Sequence, residues 1–294
     1  MRDVAAWLVA RPQNAVPVLS ITLLIPILQP ISGVVLVLLV LALGAVRALR
    51  QASLAAGFFA VALMLTGMPL QNVVLIIVVT WVPMFLLAWS TSATKSFALT
   101  MQASAMVAAV AGVATGVLID DAVVFWRPVI DVWLEMVGQM AGESAVVTSP
   151  EFAENLGAVF VASAWFIYAL LFLLGYWLYG KTQDEVDVFG RIRDLNFGRV
   201  LASCLVLMIV LSAATGSKLF DLAAIVLFAT FMLQGWALMY WTFAERQWPI
   251  GAFFAVSVFS VISGYLSAML MMVGYLDAWF NLRRRLKIRK GSKT

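Results

Sequence analysis

The side chains that most often do chemistry in enzymes are scarce in this chain. It has 294 residues, no histidine and a single cysteine, Cys204. A serine nucleophile would therefore lack a histidine base, and a histidine-ligated metal site is excluded. The sequence contains neither a G-x-S-x-G nucleophile elbow nor a Walker-type phosphate loop. These features predict a protein that is not an enzyme and that binds no metal and no cofactor.

The best candidates for a binding site are one amide side chain and several aromatic side chains. Gln234 is followed by Gly235, which would open space, and by Trp236, which would supply a flat apolar wall. A hydrogen bond between two helices is the alternative role for Gln234. Trp126 and Trp133 are the other side chains that we place near such a pocket. No ionisable residue lies clearly at mid-membrane, where an ion or proton relay would need one.

The elements that position these residues must lie in lipid. The composition is 64% hydrophobic and 12% charged, whereas ordinary soluble domains are about 45–50% apolar and about 25% charged. So few charges cannot cover the surface of a water-soluble protein of this size. The sequence therefore predicts an integral membrane protein with a single membrane domain over residues 1–294.

Long charge-free runs predict the membrane spans. One crossing needs about 20 apolar residues, and continuous apolar runs satisfy their backbone in hydrocarbon as helices. We therefore expect an all-α polytopic transmembrane bundle of eight or nine spans. The first run is interrupted by Pro26, Gln29 and Pro30, so it is either a hairpin of two short helices or one broken helix. Later crossings are expected near residues 155–180, 200–216, 219–241 and 249–276.

The distribution of basic residues predicts the orientation. Residues 283–294 carry seven basic residues and no acidic residue, which predicts a basic cytoplasmic tail that attracts anionic lipid headgroups. We expect no binding of nucleic acid, because no aromatic residue stands between these charges. We also expect no cleaved signal peptide, because the apolar run after Arg11 is too long for one. The parity of the spans stays open, since four crossings after an outside loop would return the tail to the outside.

Two segments between spans are predicted to be amphipathic. Residues 119–155 form an extramembrane or interfacial insertion, in which apolar residues recur at helical spacing from Trp126 to Val137. This pattern predicts a helix in the membrane interface, either as a strut or as a lid over a pocket. Residues 181–198 alternate in charge and predict an amphipathic connecting helix. Its apolar stripe is Val188, Phe189, Ile192 and Leu195.

Small residues repeat every four positions in three places, which favours close packing of helices in lipid. The three stripes are Ala52, Ala56 and Ala60; Ser104, Ala108, Gly112 and Gly116; and Ser260, Gly264 and Ala268. We expect them to join helices of this chain, with a seam to a partner subunit as the alternative.

Two C-terminal motifs resemble the closing signature of the YybS-like family of bacterial inner-membrane proteins, a family without an established activity. The motifs are Leu233-Gln234-Gly235-Trp236-Ala237 and the segment from Gly274 to Arg285. The positions that match are Gln234, Gly235, Gly274, Asp277, Asn281, Arg283, Arg284 and Arg285. The resemblance implies a bacterial inner membrane. We expect Asp277 to pair with Arg284 or Arg285 and so to fix a helix end.

Two functions remain open at this level. The hydropathy layout is similar to that of the substrate-capturing subunits of energy-coupling-factor transporters, which bind vitamins and depend on a separate ATPase module. A capture subunit for a small solute, with a membrane partner subunit or ATPase module, is therefore the favoured hypothesis. The other is a membrane scaffold that docks envelope or membrane-associated machinery and does no catalysis. Capture predicts a polar-lined cavity open to the outside, and scaffolding predicts a filled bundle with a cytoplasmic patch.

Overall fold

The computed structural model describes residues 2–141, 150–182 and 192–291, and the chain is almost entirely α-helical there. The helices are α1 (Arg2–Ala10), α2 (Pro12–Leu24), α3 (Gln29–Leu43), α4 (Ala45–Leu65), α5 (Leu70–Thr94), α6 (Phe97–Leu118), α7 (Ala122–Ala141), α8 (Pro150–Thr182), α9 (Gly198–Thr215), α10 (Lys218–Glu245), α11 (Ile250–Ile262), α12 (Gly264–Phe280) and α13 (Leu282–Gly291). Pro26–Leu28 and Ile192–Asp194 form short 3-10 turns. These ranges contain no strand, so the prediction of an all-α fold is confirmed.

Within the described residues, seven helices are long and apolar enough to cross a membrane, namely α3 to α6 and α8 to α10. The bent pair α11–α12 gives an eighth span if it is counted as one crossing. The predicted number of eight or nine spans is therefore matched, at eight, only if the bent pair counts as one span. The protein is a membrane-spanning, polytopic helical bundle.

The chain divides into two compact units. Unit 1 comprises residues 1–101 and 167–194, and unit 2 comprises residues 102–166 and 195–294. The long helix α8 therefore supplies its first part to unit 2 and its second part to unit 1. The prediction of a single domain over residues 1–294 did not anticipate this division.

Unit 1 is built around α3, in which every residue from Ser32 to Leu41 is buried. A helix that is apolar on all sides is stable only when other helices surround it, and α2, α4 and α5 pack against it. Ser32 Oγ donates to the Leu19 carbonyl at 3.2 Å, and Gln29 Nε2 donates to the Leu23 carbonyl at 3.2 Å. These bonds join α2 and α3 as neighbours, so the first apolar run is the hairpin of two short helices.

Unit 2 contains a seam of small residues on α6. Gly112 and Gly116 lie against Val226 and Leu222 of α10. Ser104, at the other end of the same stripe, accepts a hydrogen bond from Trp165 Nε1 of α8 at 3.0 Å. This stripe therefore joins helices of the chain itself, as the sequence led us to expect.

The crossing predicted near residues 249–276 is a bent pair of helices in the structure. Ser263 has an extended backbone (φ −93°, ψ 108°) and separates α11 from α12, whose axes differ by 110°. Its side chain accepts a hydrogen bond from the Leu266 amide and so caps the new helix. The predicted stripe Ser260, Gly264 and Ala268 spans this break and therefore lies on two helices.

The insertion between α6 and α8 contains α7. Ile130 is buried, and Trp126 packs with it against Ala153 and Leu156 of α8. A second apolar stripe beside this one is exposed: Phe125, Val129 and Val132. Arg127, Asp131 and Glu135 form an exposed polar stripe. The helix is amphipathic as predicted, and its position in a membrane interface stays a prediction.

We predicted a connecting helix over residues 181–198. Beyond Thr182, the structure describes residues 192–197 of this segment before α9, and the prediction is wrong there. Residues 183–191, with Val188 and Phe189, lie outside the described residues. Residues 192–194 form a 3-10 turn, and residues 195–197 are not helical. Asn196 Oδ1 accepts a hydrogen bond from the Gly198 amide at 2.7 Å. Such a local bond competes with the helical pattern of the backbone.

Candidate functional site: a buried polar cluster in unit 2

A group of buried and half-buried polar side chains lies where the segment 195–197 meets α6, α10 and the end of α12. We call this set the polar cluster; its members are Gln102, Asn196, Gln234, Asp277 and Arg283. Gln234 and Asp277 are 0% exposed, and Arg283 is 9% exposed. Polar groups buried in an apolar surrounding cost free energy unless they are hydrogen-bonded, so their partners decide what the cluster can do.

Four backbone groups of residues 195–197 are paired with side chains of the polar cluster. Phe197 N–H donates to Gln234 Oε1 at 2.8 Å, and the Phe197 carbonyl accepts from Gln102 Nε2 at 3.0 Å. The Leu195 carbonyl accepts from Arg283 Nη2 at 2.9 Å. Non-helical backbone is tolerated inside a membrane protein only where protein groups satisfy it. The cluster therefore stabilises an irregular entry into α9.

Asp277 is the acceptor that joins α10 and α12. Its carboxylate accepts from Gln234 Nε2 at 3.0 Å and from the Leu282 amide at 2.9 Å. Arg283 Nη2 lies 3.5 Å from Asp277 Oδ2, which makes a buried ion pair. With donors on both oxygens, the carboxylate is occupied by the protein's own groups, an arrangement typical of a structural role.

The predicted ion pair of Asp277 with Arg284 or Arg285 is replaced by the pair with Arg283. The reason is that α12 ends at Asn281, which has a left-handed backbone (φ 48°) and donates its N–H to the Asp277 carbonyl. The chain turns there, so the spacing of one continuous helix no longer applies. Asparagine tolerates this conformation better than most residues. Arg284 and Arg285 are exposed.

Gly235 and Gly274 allow the backbones of α10 and α12 to touch. A Cβ added at Gly235 would lie 2.2 Å from the Leu270 carbonyl oxygen, and one added at Gly274 would lie 2.1 Å from the Phe231 carbonyl oxygen. Only glycine fits at such distances. The space that Gly235 leaves is therefore occupied by α12. The two sequence motifs, about 40 residues apart, pack against each other in the fold.

Trp236 also contacts neighbouring helices. Its Nε1 donates to Ser260 Oγ of α11 at 3.0 Å, and its ring lies edge-on to Phe166 with 5.1 Å between centroids. Ser260 is fully buried and donates in turn to the Ser257 carbonyl. The indole thus joins α8, α10 and α11.

Trp126 of α7 packs away from Gln234, against helix α8. Trp126 stacks on Phe160 with 4.8 Å between ring centroids, in a group with Ile130 and Leu156. The side chain of Trp133 lies outside the described residues. An open depression lies on α4, in unit 1. It is lined by Val46, Leu49, Arg50, Ser53 and Leu54.

Comparison of the chain with protein-family models, with curated proteins and with solved structures gave no match. The resemblance to the YybS-like family therefore stays a prediction. The function must be argued from the geometry of the chain itself.

Sequence reasoning identified Gln234, Asp277 and Arg283 but missed two members of the polar cluster. Gln102 was recognisable only as a polar residue in an apolar run. Asn196 stood in a segment that we expected to be helical. The arrangement of the polar cluster can hold helices together. Its buried and half-buried hydrogen bonds link α6, the start of α9, α10 and the end of α12.

Proposed function

We propose that this protein is a membrane scaffold, which keeps its helices and a basic cytoplasmic segment in fixed positions for membrane-associated machinery and does no catalysis. One observation carries the proposal: Gln234, Gly235 and Trp236 all make contacts between helices. A side chain whose donors and acceptors are paired within the protein has little left to offer a solute. The geometry therefore favours a filled bundle over a capture site.

Charge supports a cytoplasmic position for the end of unit 2 that carries the polar cluster. Exposed basic residues at this end are Arg199, Arg284 and Arg285, and exposed acidic residues where α6 ends and α10 begins are Asp120, Asp121 and Asp221. Basic residues near span ends favour the cytoplasmic side. We therefore assign the C-terminal segment to the cytoplasm.

A re-entrant bent pair supports a tail on the cytoplasmic side. Tyr240 and Phe243 on α10 contact Phe253 at the start of α11, and Trp236 contacts Ser260 near its end. Helix α11 thus runs back along α10. Helix α12 then leaves at 110° and ends at the polar cluster. In this proposal the pair enters and leaves the membrane on one side, so the protein crosses the membrane seven times. The tail then lies on the same side of the membrane as the start of α9.

The orientation can be tested by accessibility of single cysteines. Cys204 is the only cysteine, so Cys204→Ser gives a background without thiols. In this background we expect Ser217→Cys to react with a membrane-impermeant maleimide in intact cells, whereas Gln247→Cys and Leu286→Cys react only after permeabilisation. Labelling of Gln247→Cys and Leu286→Cys from opposite sides would refute the re-entrant pair.

The scaffold proposal is tested by purification in a mild detergent followed by mass spectrometry of bound proteins and small molecules. We expect a stoichiometric membrane-associated protein and no stoichiometric small molecule. Gln234→Leu should lower the thermal stability, whereas the same change at the exposed Gln71 should not. A metabolite retained by the wild type and by Gln71→Leu but lost from Gln234→Leu would overturn the proposal in favour of capture. So would recovery of an ATPase module.

A further inference from the structure

Three consecutive arginines after α12 have different surroundings. Arg283 is buried, donates to the Leu195 carbonyl and pairs with Asp277. Arg284 and Arg285 are exposed. The sequence alone makes the three equivalent, but the fold uses the first as an anchor and presents the other two at the surface.

The anchor fixes the direction in which the exposed pair leaves unit 2. The Asn281 amide donates to the Asp277 carbonyl at 2.9 Å, and the Leu282 amide donates to the Asp277 carboxylate at 2.9 Å. Helix α13 starts immediately afterwards, at Leu282. The backbone carbonyl of Asp277 thus holds one amide, and its buried carboxylate holds the next amide and the Arg283 side chain, so the first turn of α13 is preorganised.

An exposed aromatic ring and an exposed apolar side chain lie beside the exposed arginines. The Arg285 guanidinium lies 5.3 Å from the centroid of the Phe280 ring, and Phe280 and Leu286 are 49% and 44% exposed. Aromatic residues are enriched at headgroup depth. A guanidinium binds phosphate oxygens through paired N–H donors and stacks on aromatic rings. After Asp277 the sequence contains no further acidic residue to compete for these cations.

We propose that Arg284 and Arg285 form a binding site for the phosphate headgroup of an anionic phospholipid, with Phe280 and Leu286 against the adjoining apolar part of the lipid. The site lies on a surface that the Asp277–Arg283 anchor orients. This inference goes beyond the scaffold proposal and does not depend on it, because a capture subunit would present the same surface.

The test is native mass spectrometry of the full chain in a neutral detergent, titrated with phosphatidylglycerol or with phosphatidylcholine. The binding variant is Arg284→Gln/Arg285→Gln. The matched control is Arg47→Gln/Arg50→Gln, which removes the same charge from two exposed arginines of α4 in unit 1. At about 5-fold per basic residue, we expect the first variant to weaken phosphatidylglycerol binding by about 25-fold. The control should leave it unchanged, and phosphatidylcholine should bind all three proteins equally.

Three outcomes would overturn the proposal. The affinity for phosphatidylglycerol could be unchanged in Arg284→Gln/Arg285→Gln, or it could fall equally in the control, which would indicate attraction by total charge alone. Inorganic phosphate could also displace the lipid at a similar concentration, which would indicate a free anion as the ligand. Thermal unfolding followed by reaction of Cys204 with a thiol dye should be the same for all three proteins, so a loss of binding cannot be ascribed to unfolding.

Discussion

The two units are stabilised by different kinds of contact. In unit 1 the buried stretch of the central helix α3 is apolar except for Ser32, whose hydroxyl accepts from Trp81 Nε1 at 2.9 Å and donates to the Leu19 carbonyl at 3.2 Å. Unit 2 contains the polar cluster, where a buried carboxylate, a guanidinium and amide groups share hydrogen bonds. One core depends on packing, and the other adds a connected polar network to its apolar packing.

This difference predicts how each unit responds to mutation. Loss of one bond in unit 1 leaves the apolar packing around α3 intact, so the cost stays close to that of a single hydrogen bond. Loss of one member of the polar cluster in unit 2 leaves other buried polar groups without partners. The free-energy cost of these unpaired groups is added to that of the lost hydrogen bond. Substitutions of comparable size should therefore lower the free energy of unfolding more in unit 2 than in unit 1.

The largest effect is expected for Asp277→Ala. It leaves the Arg283 guanidinium buried without its counter-charge and removes the acceptor of Gln234, at a cost of about 3–5 kcal/mol. Asp277→Asn keeps the size and one acceptor and should cost less. Thermal unfolding in detergent, followed by reaction of the half-buried Cys204 with a thiol dye, measures both. Equal stability of Asp277→Ala and the wild type would refute a structural role for the cluster.

A smaller loss is expected for Gly274→Ala. The added Cβ would lie 2.1 Å from the Phe231 carbonyl oxygen, so α10 and α12 must separate, at a cost of about 1–3 kcal/mol. Gly251→Ala is the control, because no atom lies within 4 Å of a Cβ there. The same thermal assay compares the two variants. A similar stability for both would contradict the close crossing of these helices.

The smallest effect is expected for Ser32→Ala in unit 1. The change removes the acceptor of Trp81 Nε1 and the donor to the Leu19 carbonyl. Single hydrogen bonds between membrane helices contribute about 0.6 kcal/mol on average, so the expected loss is about 1 kcal/mol. Far-UV circular dichroism during heating in detergent measures the shift, with Ser53→Ala on the exposed face of α4 as control. A loss as large as that of Asp277→Ala would remove the distinction between the two cores.

The sequence predicted most spans because hydrophobicity and length are local properties. Helices α8, α9 and α10 lie close to the predicted 155–180, 200–216 and 219–241. The break at Ser263 was missed because an apolar run has the same hydropathy whether it is straight or bent. Asn196 was missed because its neighbours alternate in charge as in an amphipathic helix, whereas its partners come from distant parts of the chain.

The site residues illustrate the same limit. Gln234 and Asp277 were recognisable as unusual polar residues near apolar runs, and a hydrogen bond between helices was among the roles considered for Gln234. Their mutual contact was not predictable, because it depends on the crossing of α10 and α12 at Gly235 and Gly274. The pairing partner of Asp277 depended on the turn at Asn281, which no helical spacing reveals.

The amino-acid sequence by itself determined that this protein is helical and spans a membrane, because so few charges and such long apolar runs can be accommodated only in lipid. Tertiary structure alone decided that Arg283 is an anchor while Arg284 and Arg285 face outward. The physical reason is that hydropathy sums over neighbours in the chain, whereas a buried hydrogen bond depends on the position and direction of groups that the chain brings together from far apart.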